Sequence, residues 1–296
     1  MSDHMSDIAA AASGKGHKDE NFPVASLFAP RHRAAVLAFY DFVRAADDIS
    51  DHATLPGDQK IAMLDRMEAA LLGSGEDIPV AAKLRAELAV RGLEPRHAQD
   101  LLIAFRRDVT QLRYRDWDDL IDYCRYSAMP VGRFVLDVHG EDRARTWGPN
   151  DALCAALQII NHLQDCAKDY RNLDRVYLPQ DMLAANGASV EMLAADRASP
   201  QLAATLRALA ERTQGLLKES APFADLIVDT RLAMEVGAIQ RLAETLTARL
   251  RVADPLSEKV HASKRQYLLT ALAGAGITLL RRLVSPRAAS AASVAR

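Results

Sequence analysis

The sequence predicts an all-α chain, and three observations carry that expectation. Alanine and leucine dominate while aromatics make up only 5% of the residues, a balance that favours helix over sheet. Apolar residues recur at helical spacing through nearly every segment. There is no run of alternating strands and no repeat of fixed period. The chain has 296 residues, 49% of them hydrophobic, which is ample for a sizeable core. No Pro/Ser/Gly-rich linker divides it, so a single domain is expected over 19–285. Before it, residues 1–18 are polar and small, lack the apolar run of a signal peptide, and read as a disordered leader. Residues 286–296 read as a flexible tail.

The expected helices follow in order. The first covers 31–51, on helical apolar spacing. The second, 58–72, ends at Gly73-Ser74-Gly75. The third, 79–91, ends at Gly92, a C-cap residue. The fourth, 95–113, opens with Pro95 in its first turn. The fifth, 117–138, contains Pro130 and should kink or break there. Helices at 149–170, 199–220, 222–251 and 263–284 complete the set. Loops fall at 52–57, 73–78, 140–148, 171–198 and 252–262, and the long one at 171–198 is a candidate lid.

The apolar run at 267–280 is about 14 residues, short of the roughly 20 that span a bilayer. Lys264, Arg265, Arg281 and Arg282 flank it. A buried core helix is the simpler reading; a helix that also touches an anionic membrane surface is the sharper one. Net charge is −2 and no basic stripe with interleaved aromatics occurs, so nucleic acid is not an expected partner. Cys124, Cys154 and Cys166 lack metal-type spacing and suit a reducing cytosol, so a cytoplasmic protein is expected, with the sharper reading of the 267–280 helix adding contact with the inner membrane. Gly274-Ala275-Gly276 lies within an apolar helix and follows no strand, so no nicotinamide site is expected.

Two aspartate pairs of equal spacing stand out: Asp47 with Asp51, and Asp165 with Asp169. Residues four apart share a helix face, so each pair aims two carboxylates in one direction. A divalent cation relieves their repulsion, and Mg²⁺ prefers oxygen ligands and bridges to substrate phosphate. Tyr40, Arg44, Asp47 and Asp51 form one stripe. Taken alone, that stripe equally describes a solvated face with Arg44–Asp47 and Arg44–Asp48 pairs. Asn161, Asp165 and Asp169 form a second stripe on a largely apolar helix, where buried polar groups need partners. Metal plus phosphate, or a structural polar network, would supply them. Arg171 and Arg175 follow closely and suit either diphosphate oxygens or local charge balance. Tyr123 offers a ring face to a carbocation or a hydroxyl to a leaving group, unless it is an ordinary packed side chain.

From about residue 20 to 270 the chain resembles the squalene/phytoene synthase family of head-to-head prenyl synthases. The likeness rests on Arg44-Ala45-Ala46-Asp47-Asp48-Ile49-Ser50-Asp51, on Tyr123, Cys124, Tyr126, Ala128, Val131 and Gly132, on Asn161, Gln164, Asp165 and Asp169, and on Arg175-Val176-Tyr177-Leu178-Pro179. It implies a single-domain isoprenoid synthase bundle around a central cavity, with the aspartate helices at its mouth. It implies that Asp47, Asp51, Asp165, Asp169 and Asn161 bind Mg²⁺. It further implies that Arg44 and Asn161 contact the substrate diphosphate or metal and that Tyr123 helps ionise a cyclopropyl intermediate; Arg171, Arg175, Gln164 and Tyr40 are further candidates for binding the diphosphate.

Within the family the chain is most similar to a hopanoid-pathway branch, on Glu20 to Ser26, Pro130-Val131-Gly132-Arg133 and Gln164-Asp165. That branch takes presqualene diphosphate, loses diphosphate and adds water to give hydroxysqualene, without NADPH. Glu20 and Gln164 stand where condensing members carry cations, which fits a site that ionises one diphosphate. A tyrosine common in the last loop is replaced near Val252, with Lys264 and Arg265 as candidates to compensate. The neighbouring possibility is a condensing enzyme that joins two prenyl diphosphates. A non-catalytic helical assembly factor is the reading from another class, and retention of both aspartate pairs speaks against it. Functional association with other squalene-pathway enzymes is a further expectation of the resemblance.

Overall fold

Local signals set most helix boundaries in the computed structural model, which describes residues 29–284. The expected leader, Glu20 with its neighbouring motif, and the tail lie outside the described residues. Helix α1 (Pro30–Ser50) opens with proline, and α2 (Gly57–Leu71) follows a short loop. Helix α3 (Pro79–Arg91) stops at Gly92, whose φ of 61° is the left-handed conformation that closes a helix C-terminus. Helix α4 spans Arg96–Thr110, with Pro95 as its N-cap. The expected break near Pro130 divides α5 (Trp117–Ser127) from α6 (Met129–His139); Asp116 caps α5 by accepting from Asp119 N.

Helix α7 (Arg143–Leu173) starts six residues before the expected 149, so the expected loop at 140–148 is mostly helix. Pro149 marked a start in the sequence, yet the helix is initiated earlier by Asp142, which accepts from Ala144 N at 2.9 Å. Trp147 anchors this extra turn beneath the guanidinium groups of Arg133 and Arg143, 4.7 and 5.1 Å from its ring centroid. Next come α8 (Gln180–Ala185), a 3₁₀ turn at Val190–Ala194, and α9 (Pro200–Glu219). The expected helix 222–251 is two: α10 (Phe223–Leu226) and α11 (Thr230–Leu250). The chain is extended at Ile227 because buried Glu141 accepts from the N–H groups of Val228 and Asp229, both at 2.7 Å, and Asp229 then caps α11.

Helix α7 runs through the centre, with α5, α6, α9 and α11 packed around it, while α1 packs on α3, α4 and α6. One apolar cluster runs through these helices, from Ala35 to Val260. The segment 171–198 is fastened down. Val176 N donates to Leu112 O, Gln180 N to Tyr114 O and Asp181 N to Arg115 O, and Tyr177, Leu178 and Leu183 are buried. Leu173, Arg175 and Tyr177 at its start line the cavity, so the segment meets it as a fastened edge and not as the free loop expected of a lid.

Helix α12 (Lys264–Val284) departs from the buried-helix reading. It rests on α11 through a close crossing of glycines, where a Cβ on Gly274 would run into Gly237 O. Its buried residues are Gly274, Ala275 and Thr278, while Leu268, Leu269, Leu272, Leu280 and Leu283 are each more than half exposed. It is also the described helix long and apolar enough to cross a membrane by length and composition.

Candidate active site

Helices α1, α4, α5, α6, α7, α10 and α11 enclose a cavity of about 610 Å³, within the usual range for small-molecule sites. One end is polar. There α1 presents Tyr40, Arg44, Asp47 and Asp51 at spacings of 4, 3 and 4, and α7 presents Asn161, Asp165 and Asp169. The rest is mainly apolar, with Val36, Phe39, Leu101, Phe105, Leu153 and Val236 among the lining residues and Ser127, Asn150 and Glu235 as polar exceptions.

The polar end is crowded with negative charge. Burial, then the neighbouring Asp51 carboxylate, pushes Asp47 up to about 7, against the pull of Arg44. Burial and Asp165 push Asp169 up to about 7 as well. Arg44 offsets part of this charge through Asp47 at 2.9 Å and Asp48 at 2.7 Å. Asn161 Oδ1 is buried here with no hydrogen-bond partner. An unsatisfied acceptor beside proton-hungry carboxylates is a donor set that fits a hard cation. Asp47, Asp51, Asp165, Asp169 and Asn161 are therefore the residues that would hold Mg²⁺.

Beneath the aspartates lies an aromatic floor built around Asp108, a residue without a signal in the sequence. Tyr123 and Tyr177 both donate their hydroxyls to its carboxylate at 3.0 Å. Burial raises Asp108 to about 6, although Arg175 and the two hydroxyls pull the other way. His162 stacks on Tyr177 with centroids 3.5 Å apart, and burial together with Arg175 lowers it to about 3, so the ring is neutral. Tyr114 leans on both Tyr123 and Tyr177. Three of these rings, Tyr123, His162 and Tyr177, line the cavity.

A family model described as squalene/phytoene synthase matches residues 15–266. The chain belongs to the squalene/phytoene synthase family. It is 55% identical to the hydroxysqualene synthase of Rhodopseudomonas palustris, covering 94% of this chain and 95% of that protein. It is 54% identical to the hydroxysqualene synthase of Sinorhizobium fredii, over 86% and 87% of the two chains. The crystal structure of squalene synthase HpnC from Alicyclobacillus acidocaldarius is 29% identical, with a TM-score of 0.70 over 83% of this chain and 92% of that one. The all-α fold is thus that of solved members of the family.

Several site candidates stand elsewhere than the sequence suggested. Arg171 is directed away from the cavity and donates to Ala194 O and Ala195 O, because α7 continues past it to Leu173. Asp174 then takes the left-handed φ of 51° and turns the chain back, so Arg175 points inward. Arg175 is buried and lines the cavity: Nε donates to Asp108 O, Nη2 to Ser50 O, and Nη1 pairs with Asp51. These contacts make it a positioning residue for Asp51. Gln164 also misses the cavity and donates to Val260 O at 3.1 Å. One residue before Asp165 is a rotation of about 100° on a helix, so Gln164 braces the 252–262 loop. Lys264 and Arg265 are exposed at the start of α12 and do not line the cavity, and neither does Val252, which is 86% exposed.

Proposed function

We propose that this chain is a hydroxysqualene synthase, which converts presqualene diphosphate and water to hydroxysqualene and diphosphate without NADPH. The observation that carries the reading is near-full-length identity above half with hydroxysqualene synthases, joined to a cavity with an acidic mouth and an apolar interior. The diphosphate sits at the two aspartate stripes, and the hydrocarbon fills the apolar part. Asp47, Asp51, Asp165, Asp169 and Asn161 would hold Mg²⁺, which would supply positive charge to neutralise the leaving group.

The carbon–oxygen bond to diphosphate breaks with both electrons staying on oxygen. The resulting cyclopropylcarbinyl cation lies beside the electron-rich rings of Tyr123, Tyr177 and His162, which line this part of the cavity and stabilise it. A water oxygen forms the new bond to carbon, and its proton passes to the departing diphosphate. Asp108 holds the two tyrosines in register. Arg44 faces the diphosphate end, and Tyr40 closes the same stripe.

Mass spectrometry of products tests this reading. Given presqualene diphosphate with Mg²⁺ and no NADPH, the protein should yield hydroxysqualene; given farnesyl diphosphate alone, it should yield nothing. Presqualene diphosphate from farnesyl diphosphate would assign it to the condensing branch.

The same reading extends to place. The exposed leucines of α12, flanked by Lys264, Arg265 and Arg281, suit an anionic bilayer surface, from which a prenyl substrate can be drawn.

A further inference from the structure

A second cluster of ligand-type side chains lies apart from the aspartates. His32 is in the first turn of α1, His139 ends α6, and Asp229 caps α11. One nitrogen from each histidine and one carboxylate oxygen of Asp229 all lie within 4.8 Å of one another. The two rings tilt together with centroids 4.1 Å apart. The three residues are distant in sequence, and Asp229 is at hand because the chain breaks between α10 and α11.

The cluster sits one helical turn beyond the cavity wall. Val36 follows His32 by four residues, Val135 precedes His139 by four, and Leu232 follows Asp229 by three; all three line the cavity. The cluster therefore underlies the apolar part of the cavity, remote along α1 from Asp47 and Asp51.

The local chemistry favours ligation. His139 Nδ1 lies 2.8 Å from Val135 O and donates to it, an arrangement that orients the ring and leaves Nε2 as the basic nitrogen. His32 Nε2 accepts from Arg31 Nε at 2.8 Å, so it carries a lone pair; Arg31 is exposed and can yield its place. Burial, His139 and Arg31 all hold His32 below its usual range, so it is neutral at pH 7. Partial burial works against ionisation of Asp229, but N–H groups of Leu232 and Arg231 outweigh it and keep the carboxylate charged. The other cation facing His32 is Arg91, which is itself paired with Glu87.

We propose that His32, His139 and Asp229 form a zinc-class metal site that fastens α1, α6 and α11 together beneath the cavity. Two imidazoles and one carboxylate suit Zn²⁺, whereas Mg²⁺ prefers oxygen alone. At metal–ligand distances of about 2.0–2.2 Å the ligand atoms sit roughly 3.4 Å apart, so the side chains close by about an ångström or more. Water completes the coordination. Because the site exists only in the folded chain, bound metal stabilises it by mass action.

The test uses the full chain stripped with a chelator and then given ZnSO₄ with Mg²⁺ in excess. Calorimetry should show one equivalent of zinc bound, and the melting temperature should rise. Asp229→Asn keeps a side-chain oxygen to cap α11 but removes the charged ligand, so it separates capping from metal binding. Zinc affinity should fall about tenfold or more in Asp229→Asn and in His32→Gln. Co²⁺ in place of zinc should give visible absorption bands, lost in the same variants. Absence of zinc binding would overturn the proposal. So would binding unchanged in a folded His32→Gln/His139→Gln protein, or binding abolished by Asp47→Asn, which would place the ion at the aspartates.

Discussion

Asp47 and Asp169 hold their protons up to about 7 because each is buried beside another carboxylate. The sign of the consequence is fixed. Unfolded aspartates titrate near 4, so between about pH 4 and 7 the unfolded chain has them ionised while the folded chain keeps them protonated. Stability contributed by these groups is full below about pH 4 and is lost as pH rises through 7. His162 works the other way, since it is neutral in the folded chain but takes a proton below about pH 6.5 when unfolded, so one histidine offsets part of what the two aspartates contribute. The metal-free protein should therefore melt at progressively lower temperature from about pH 5 to 7 in a thermal-shift series, with the slope levelling off above that. Asp169→Asn or added Mg²⁺ should flatten that slope. An equally steep slope in Asp169→Asn would show that the carboxylate crowding is not its source.

The same carboxylates bear on turnover. Asp47→Ala or Asp165→Ala should lower it by about 10²-fold or more, as for lost stabilisation of a departing anion. Steady-state rates on the folded variants check this, and near-wild-type rates in both would remove the metal assignment. Asp108 is a different case. Asp108→Ala leaves the hydroxyls of Tyr123 and Tyr177 buried without their acceptor, at a cost of about 1–3 kcal/mol each. Urea unfolding should show that loss together with reduced turnover. Asp108 was illegible in the sequence because it falls near the end of an ordinary amphipathic helix. Its role arises from partners on α5 and on the chain after α7. The aspartate pairs were legible because spacing alone puts them on one face.

At the scale of elements, periodicity and capping residues explain most of what was readable. Pro130 broke its helix and Gly92 ended one, since both act through their own backbone. The early start of α7 and the gap between α10 and α11 were hidden because tertiary partners decide them: Trp147 under two arginines, and Glu141 on the N–H groups of Val228 and Asp229. The register of α7 separates Asp165 from Gln164, which the motif had grouped together. Glycines at the α11–α12 crossing bring the two backbones close, and the leucines of α12 are left outward. In flotation with anionic vesicles the protein should rise with the lipid, and Leu269→Glu/Leu272→Glu/Leu280→Glu should leave it in the pellet. Flotation unchanged by that triple variant would assign lipid contact to another surface.

At the scale of the molecule, the cavity joins an acidic mouth to an apolar interior through an aromatic floor. In the proposed reaction, ionisation at the mouth would deliver a cation into aromatic and hydrocarbon surroundings, and its fate would depend on the nucleophile that reaches it. The fold and the aspartate stripes were legible because they are patterns within single helices. The floor and the positioning role of Arg175 were not, because they arise where α1, α4, α5 and the chain after α7 converge. The most direct measurement is the reaction of presqualene diphosphate with Mg²⁺ in ¹⁸O-labelled water. Addition of water to the cation predicts one labelled oxygen in the product hydroxyl, unchanged when NADPH is present. Squalene formed on adding NADPH, or an unlabelled product, would contradict it.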